Sequence, residues 1–164
     1  MGVILHNNYG WFVLEAFPPE VRVTQLEVFL RRSESLGDAR RRFIVGRLLP
    51  AYQHLIPKAV EHGLAMRDVS YDELYLTDPN ALYCSELVVD MFRSANGGEE
   101  FFAERPMSFR DPNSGQILPI WIEYYEKFGM QVPDGQPGSN PGDISCDTRL
   151  QIVAVEGPPS GYAP

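Results

Sequence analysis

The sequence predicts an α+β fold, an antiparallel sheet packed against a helix that carries a cysteine, and three observations predict it. Met1 to His6 and Trp11 to Ala16 are apolar, β-prone stretches joined by the turn signal Asn7-Asn8-Tyr9-Gly10, which reads as a β-hairpin. Beyond Cys84, apolar residues recur at Leu87, Val88, Met91, Phe92 and Ala95, steps that trace one face of a helix. Leu150 to Val155 reads as a last strand.

Composition narrows the class further. The 164 residues are 44% hydrophobic, 22% charged and 12% aromatic, as in a globular chain with a sizeable core, and residues 1–164 read as a single domain without internal repeats. A net charge of -8 without a clear basic patch argues against nucleic acid as a partner. The run Arg40-Arg41-Arg42 is too short to change that and reads as a solvated patch beside a strand. No apolar run approaches the ~20 residues of a membrane span, and no signal peptide pattern opens the chain. As written, the protein reads as unexported and cytoplasmic, on condition that residue 1 is the true start. The two cysteines, Cys84 and Cys146, make neither a disulfide framework nor a zinc site. His6, His54 and His62 show no metal-ligand spacing with them, so no metal or other cofactor is expected.

The elements follow in order. In the second strand, alternation puts Trp11, Val13 and Glu15 on one face and Phe12, Leu14 and Ala16 on the other. Both faces are apolar, which makes the strand central and Glu15 its anomaly. Phe17-Pro18-Pro19-Glu20 breaks that strand, and Val21-Arg22-Val23 is short and extended. Thr24 with Glu27 has the spacing of a capping box, with Leu26, Phe29 and Leu30 as the apolar side of a helix. Arg41 to Leu49 is a strand centred on Phe43-Ile44-Val45 and ended by Pro50. Ala51 to Met66 is helical, kinked or split at Pro57, with His54 and His62 as ordinary polar positions. Asp68 to Asn80 is a loop, and the Cys84 helix stops at Asn96-Gly97-Gly98. Residues 99–116 are irregular. Ile117 to Phe128 holds a shorter helix whose stripe of Trp121, Tyr124, Tyr125 and Phe128 is read as core. Val132 to Ser145 is a Pro/Gly-rich loop, and residues 157–164 form a flexible tail.

Two residues carry candidate chemistry. Cys84 stands at the start of its helix, where the partial positive charge of the N-terminus favours a thiolate nucleophile. The alternative is a small buried hydrophobe. Glu15 is either a strand-end carboxylate reaching water or one that orients a catalytic group. A cysteine hydrolase also needs a histidine to move the proton and an oxyanion site, which backbone N–H groups around Cys84 and Ser85 would supply. The histidine is the gap. In a hairpin closed at residues 7–10, Glu15 faces Val3, Gly2 or the position before Met1, whereas His6 lies on the order of 20 Å away by strand rise.

The chain resembles the circularly permuted papain-like proteins of the YiiX/YebB group, relatives of the NlpC-type cell-wall peptidases. The resemblance runs through Gly2-Val3-Ile4, Leu14-Glu15-Ala16, Val21-Arg22-Val23-Thr24, Tyr71-Asp72 and Leu82-Tyr83-Cys84-Ser85-Glu86-Leu87-Val88. It continues through Pro119-Ile120-Trp121 and Pro137-Gly138-Ser139-Asn140-Pro141-Gly142-Asp143. It implies a papain-like fold and a thiol hydrolase of the amidase or peptidase type, with Cys84 as nucleophile and Glu15 as third member. Tyr83 and Tyr71 would line the substrate site, the alternative being that each is core, and the substrate would be a peptide, an amide or an acyl lipid. The family's histidine would fall immediately before Met1, and an upstream segment with a Gly-Asp turn is also expected there. Either the start is set too late in a longer active protein, the favoured reading because Glu15 and the Cys84 motif are intact, or the chain is an inactive short form. An acyl-lipid hydrolase or acyltransferase and a non-catalytic binding domain are the alternatives.

Overall fold

A computed structural model describes residues 1–34 and 41–157. Arg40 and residues 158–164 of the tail expected at 157–164 lie outside the described residues. The opening hairpin forms as its pattern predicts: β1 (Val3–Asn7) pairs antiparallel with β2 (Gly10–Phe17), His6 opposite Trp11 and Val3 opposite Leu14. β2 then pairs antiparallel with β3 (Glu20–Gln25), which places it second in a five-stranded sheet of order β1-β2-β3-β5-β6. β5 (Ser70–Tyr71) and β6 (Ala81–Leu82) are short and mutually parallel, a departure from the purely antiparallel sheet expected. β5 forms inside the segment expected to be loop and β6 directly after it, because the main chain at Tyr71 bonds Pro19 and that at Asp72 bonds Leu82.

The helix after β3 contains all three of its expected apolar positions, Leu26, Phe29 and Leu30, but its cap differs. α1 spans Leu26–Arg31, its N-cap is Gln25, and no side chain caps it. The capping box on Thr24 does not form, because the Thr24 hydroxyl donates to Glu15 instead. β4 (Phe43–Leu48) forms a separate ribbon with β9 (Leu150–Glu156). The predicted helix of residues 51–66 is split at Pro57: a 3-10 helix covers Pro50–Leu55 and α2 covers Ile56–Ala65. Proline is accepted there because a first helical turn needs no N–H from it.

α3 (Cys84–Ala95) is the central helix. The face counted from Cys84 is the face that packs: Leu87, Val88, Met91, Phe92 and Ala95 are all buried. They meet Leu14, Ala16 and Val21 of the sheet, Ala59 of α2, and Phe101 and Phe102. Gly97 and Gly98 take left-handed φ of 75° and 93°, and the Gly98 N–H donates to Arg93 O, which ends the helix where predicted. β7 (Arg105–Pro106) pairs with β8 (Pro137–Gly138). α4 (Pro119–Glu126) carries the aromatic stripe, of which only Tyr125 is fully buried. Phe128 is 41% exposed, because the helix ends before it, so the stripe is core at one position and rim at the others. α5 (Pro141–Ser145) orders part of the Pro/Gly-rich loop, with Asn140 as its N-cap.

Packing of α2 on α3 and β2 leaves no room at Gly63. A Cβ there would sit 2.7 Å from Leu14 Cδ2 and 2.7 Å from Met91 Sδ. Gly63→Ala should therefore destabilise the protein by about 1–3 kcal/mol through overpacking, despite the better helix propensity of alanine. A lowered urea midpoint with unchanged slope checks it.

Candidate active site

Strand direction brings the candidate residues to one end of the sheet. β1 begins, β2 ends and β3 begins at that end. β5 runs antiparallel to β3 and β6 runs parallel to β5, so both run toward it, and β6 delivers Tyr83 and Cys84 there. Glu15 is two residues from the end of β2 and so lies at the same end. The register that pairs Val3 with Leu14 continues to Gly2 opposite Glu15. A Cβ on Gly2 would lie 2.7 Å from Leu14 O and 3.2 Å from Glu15 Cβ, so β1 enters the sheet pressed against Glu15.

Cys84 is the first residue of α3 and is partly exposed. The first N–H groups of a helix have no partner within it, so those of Cys84 and Ser85 point out beside the thiol. The helix start is fixed from two sides. Tyr83 is 4% exposed, and its hydroxyl accepts a 2.9 Å bond from the Ser139 N–H. The Ser85 hydroxyl donates to the Ser139 carbonyl at 3.0 Å. Ser139 belongs to the Pro137–Asp143 segment, so this loop clamps the residues on both sides of Cys84. Burial pushes the Tyr83 phenol up from its ordinary pKa.

Glu15 is 2% exposed, yet it is not unpaired. Arg32 donates to both carboxylate oxygens, at 2.5 and 2.6 Å, and the Thr24 hydroxyl donates at 2.6 Å. The Arg32 guanidinium in turn lies 4.0 Å above the Phe17 ring. Sequence reasoning predicted that Glu15 needed a partner but not that Arg32 would be it. No hydrogen bond or ion pair joins Glu15 to Cys84 among the described residues. The α3 side of β2 is the Leu14 and Ala16 face, and Glu15 points to the other.

Tyr71 is the last residue of β5 and sits in an aromatic group with Tyr75, Tyr83, Trp121 and Tyr124. Burial, then its bond to Tyr75, then the nearby Cys84, raise the Tyr71 pKa, so its phenol keeps its proton. Tyr75 takes a left-handed φ of 55°, rare outside glycine. Buried Asp72 holds that loop by accepting from the Leu74 and Leu76 N–H groups, both at 2.7 Å. Burial pushes the Tyr124 phenol up to about 12; it donates to the Glu73 carbonyl.

None of the three histidines pairs with Cys84. His6 stacks on Trp11 at 4.3 Å, His54 is exposed, and His62 Nε2 lies 2.7 Å from Asp90. His62 is thus more than the ordinary polar position expected of it. Two surface cavities of about 400 Å3 lie elsewhere, and neither is lined by Cys84 or Glu15.

Residues 1–154 match the family model described as permuted papain-like amidase enzymes, YaeF/YiiX, C92 family. The chain belongs to that family. A crystal structure described as the metalloprotein YiiX from Escherichia coli O157:H7 superposes with a TM-score of 0.72 at 19% identity, covering 94% of this chain and 81% of that one. The fold is therefore the permuted papain-like one. A search of curated proteins returns no match. The metal in that description is a statement about YiiX. Among the described residues here, no three His, Cys, Asp or Glu side chains group as metal ligands would.

Breaking the Glu15 pair should cost far more than a surface ion pair. Arg32→Met should lose about 3 kcal/mol by leaving a buried carboxylate alone, and Arg32→Met with Glu15→Gln should recover most of it. Denaturant midpoints of the four proteins in that cycle decide it.

Proposed function

We propose that this protein is a thiol hydrolase of amides, with Cys84 as the nucleophile. One observation carries the reading: in a permuted papain-like amidase fold, Cys84 is the first residue of the central helix, with free N–H groups beside it. The Cys84 sulfur attacks the substrate carbonyl, a C–S bond forms, and the carbonyl oxygen becomes an anion beside the Cys84 and Ser85 N–H groups. Collapse breaks the C–N bond as a histidine gives its proton to the leaving amine. Water, activated by the same histidine, then splits the thioester and frees the acid and the thiol.

Glu15 is the group that orients that histidine. Its carboxylate is already immobilised by Arg32 and Thr24. The position ahead of Met1 falls on the same face of β1 as Gly2, diagonal to Glu15 and away from the α3 face, so a histidine there reaches Glu15 across the pair of strands and meets Cys84 around the end of the sheet to which β6 delivers it. Tyr71 lines the site as a neutral phenol. Tyr83 serves it from below, through its bond to Ser139.

A second reading has its own support. The three histidines of this chain are engaged or exposed away from Cys84, as in a binding domain that does no chemistry. One experiment separates them. A variant with a histidine directly ahead of Met1 is assayed on peptide amides and on acyl lipids, beside the chain as given. Amide hydrolysis that rises with the added histidine and vanishes with Cys84→Ala or Glu15→Gln is the expected result. Turnover confined to acyl lipids would move the substrate class to lipids. No turnover in any form, or turnover indifferent to Cys84→Ala, would leave the binding domain.

A further inference from the structure

The aromatic residues beside Cys84 form two layers. Tyr83, Phe109 and Tyr125 are buried and make the base. Tyr75, Trp121 and Tyr124 are half-buried, as Cys84 is, and each packs on a ring of that base. The ring centres lie 5.6 Å apart for Tyr75 on Tyr83, 5.1 Å for Trp121 on Phe109 and 5.4 Å for Tyr124 on Tyr125. Tyr75 is the hub of the outer layer, 6.0 Å from Trp121, 6.2 Å from Tyr124 and 6.5 Å from Tyr71. Through Tyr71 the layer reaches the thiol: Tyr71 stands opposite Leu82 in the β5–β6 pair, and Leu82 is two residues before Cys84. At its other end, exposed Ile120 lies one turn before Tyr124 on the same face of α4 and extends the apolar surface outward.

This wall is fixed from both sides. Asp72 holds the loop after β5 through the Leu74 and Leu76 N–H groups. The Tyr124 and Tyr125 hydroxyls donate to the Glu73 and Leu74 carbonyls, both at 2.8 Å, and tie α4 to the same loop. Between these anchors Tyr75 keeps its left-handed φ of 55°, a conformation that a bulky side chain holds only where its surroundings impose it. The wall is also uncharged. Burial pushes the Tyr71 and Tyr124 phenols up, and the carboxylates that bear on Tyr124 are Glu73 and Asp72, the latter spent on the loop.

We infer that this wall is the specificity surface of the thiol site, with Tyr75 as its determining residue, and that it takes an uncharged aromatic ring carried next to the scissile carbonyl. The inference rests on Cys84 being the reactive thiol of the proposed hydrolase. An incoming ring meets other rings at the edge-to-face and tilted spacings that the wall already uses, and such pairs gain more than area burial alone. An aliphatic group of the same size gains the area only. A carboxylate there would lose water and meet Glu73, with no cation among the wall residues to offset it.

The test is alkylation of Cys84 in the full chain carrying Cys146→Ser, so that one thiol reacts. Plain iodoacetamide is compared with its N-benzyl, N-cyclohexylmethyl and N-carboxymethyl derivatives. Each rate is divided by that of the same protein unfolded in urea, which removes the intrinsic reactivity of the reagent. The N-benzyl reagent should be favoured about tenfold over plain iodoacetamide, the N-cyclohexylmethyl reagent less, and the N-carboxymethyl reagent should fall below it. Tyr75→Leu and Trp121→Leu, on separate elements, should each remove most of the benzyl preference. Unreactive N-benzylacetamide should slow plain iodoacetamide saturably on the parent protein, a result that needs no variant to fold. No benzyl preference in the parent overturns the inference, as does an equal preference for N-cyclohexylmethyl, a preference that survives both substitutions, or a lack of protection. Alkylation requires neither histidine nor turnover. A benzyl preference without hydrolysis faults the hydrolase reading and leaves the wall, whereas hydrolysis without that preference faults the wall alone.

Discussion

The site depends on one joint, the place where β6 becomes α3. Tyr83 and Ser85 flank Cys84, and both are bonded to Ser139, the first by its hydroxyl accepting from the main chain and the second by its hydroxyl donating to it. Two buried hydrogen bonds of this kind contribute about 1 kcal/mol each, and losing either partner costs more, because a buried polar group is then left unmet. Their larger effect is geometric. A helix start left free would fray, and the thiol and N–H groups beside it would lose their common direction. The Pro137–Asp143 segment, rich in residues that favour turns, is ordered because it closes this joint and because Asn140 caps α5.

A second constraint works from the opposite face of the sheet. Glu15 is buried at the end of β2 and held by Arg32 and Thr24. That pairing explains why Gln25 and not Thr24 stands at the head of α1: Thr24 serves the sheet and not the helix, and Arg32, just past the last turn, is drawn over Phe17 to reach the carboxylate. A buried ion pair is a poor source of stability, since desolvation consumes most of the Coulomb gain. Its value is orientation. The carboxylate of Glu15 has its rotamer set before any other group approaches, which is what a group that orients a catalytic partner requires.

Much of this was legible in the sequence where a single period dominates. The hairpin, the register that puts Glu15 opposite Gly2, and the buried face of α3 all follow from alternation and helical spacing. The stop at Gly97 and Gly98 follows from the need for left-handed φ. What failed depended on partners far apart in the chain. The Thr24 capping box was lost to a long-range acceptor. The segment at 68–80 gained the short strand β5 because its main chain meets Pro19 and Leu82. The aromatic stripe of α4 was core only at Tyr125 and rim elsewhere, since the helix ended before Phe128. Arg32 and Ser139 could not be assigned, because their roles exist only after the sheet, the loop and the helix meet. The Tyr83-Cys84-Ser85 motif and the Pro137–Asp143 loop were each visible, but not that they touch.

The central claim is that Cys84 is the reactive thiol by virtue of its place at the head of α3. The chain offers its own control, since Cys146 is free and more exposed than Cys84. The most direct measurement is competitive alkylation of the native protein at neutral pH with a small limiting reagent, followed by mass spectrometry of both sites. The account predicts that Cys84 is modified first despite its lower exposure, and that this preference disappears on unfolding. Modification that follows exposure, with Cys146 ahead of Cys84 in the native protein, would contradict it.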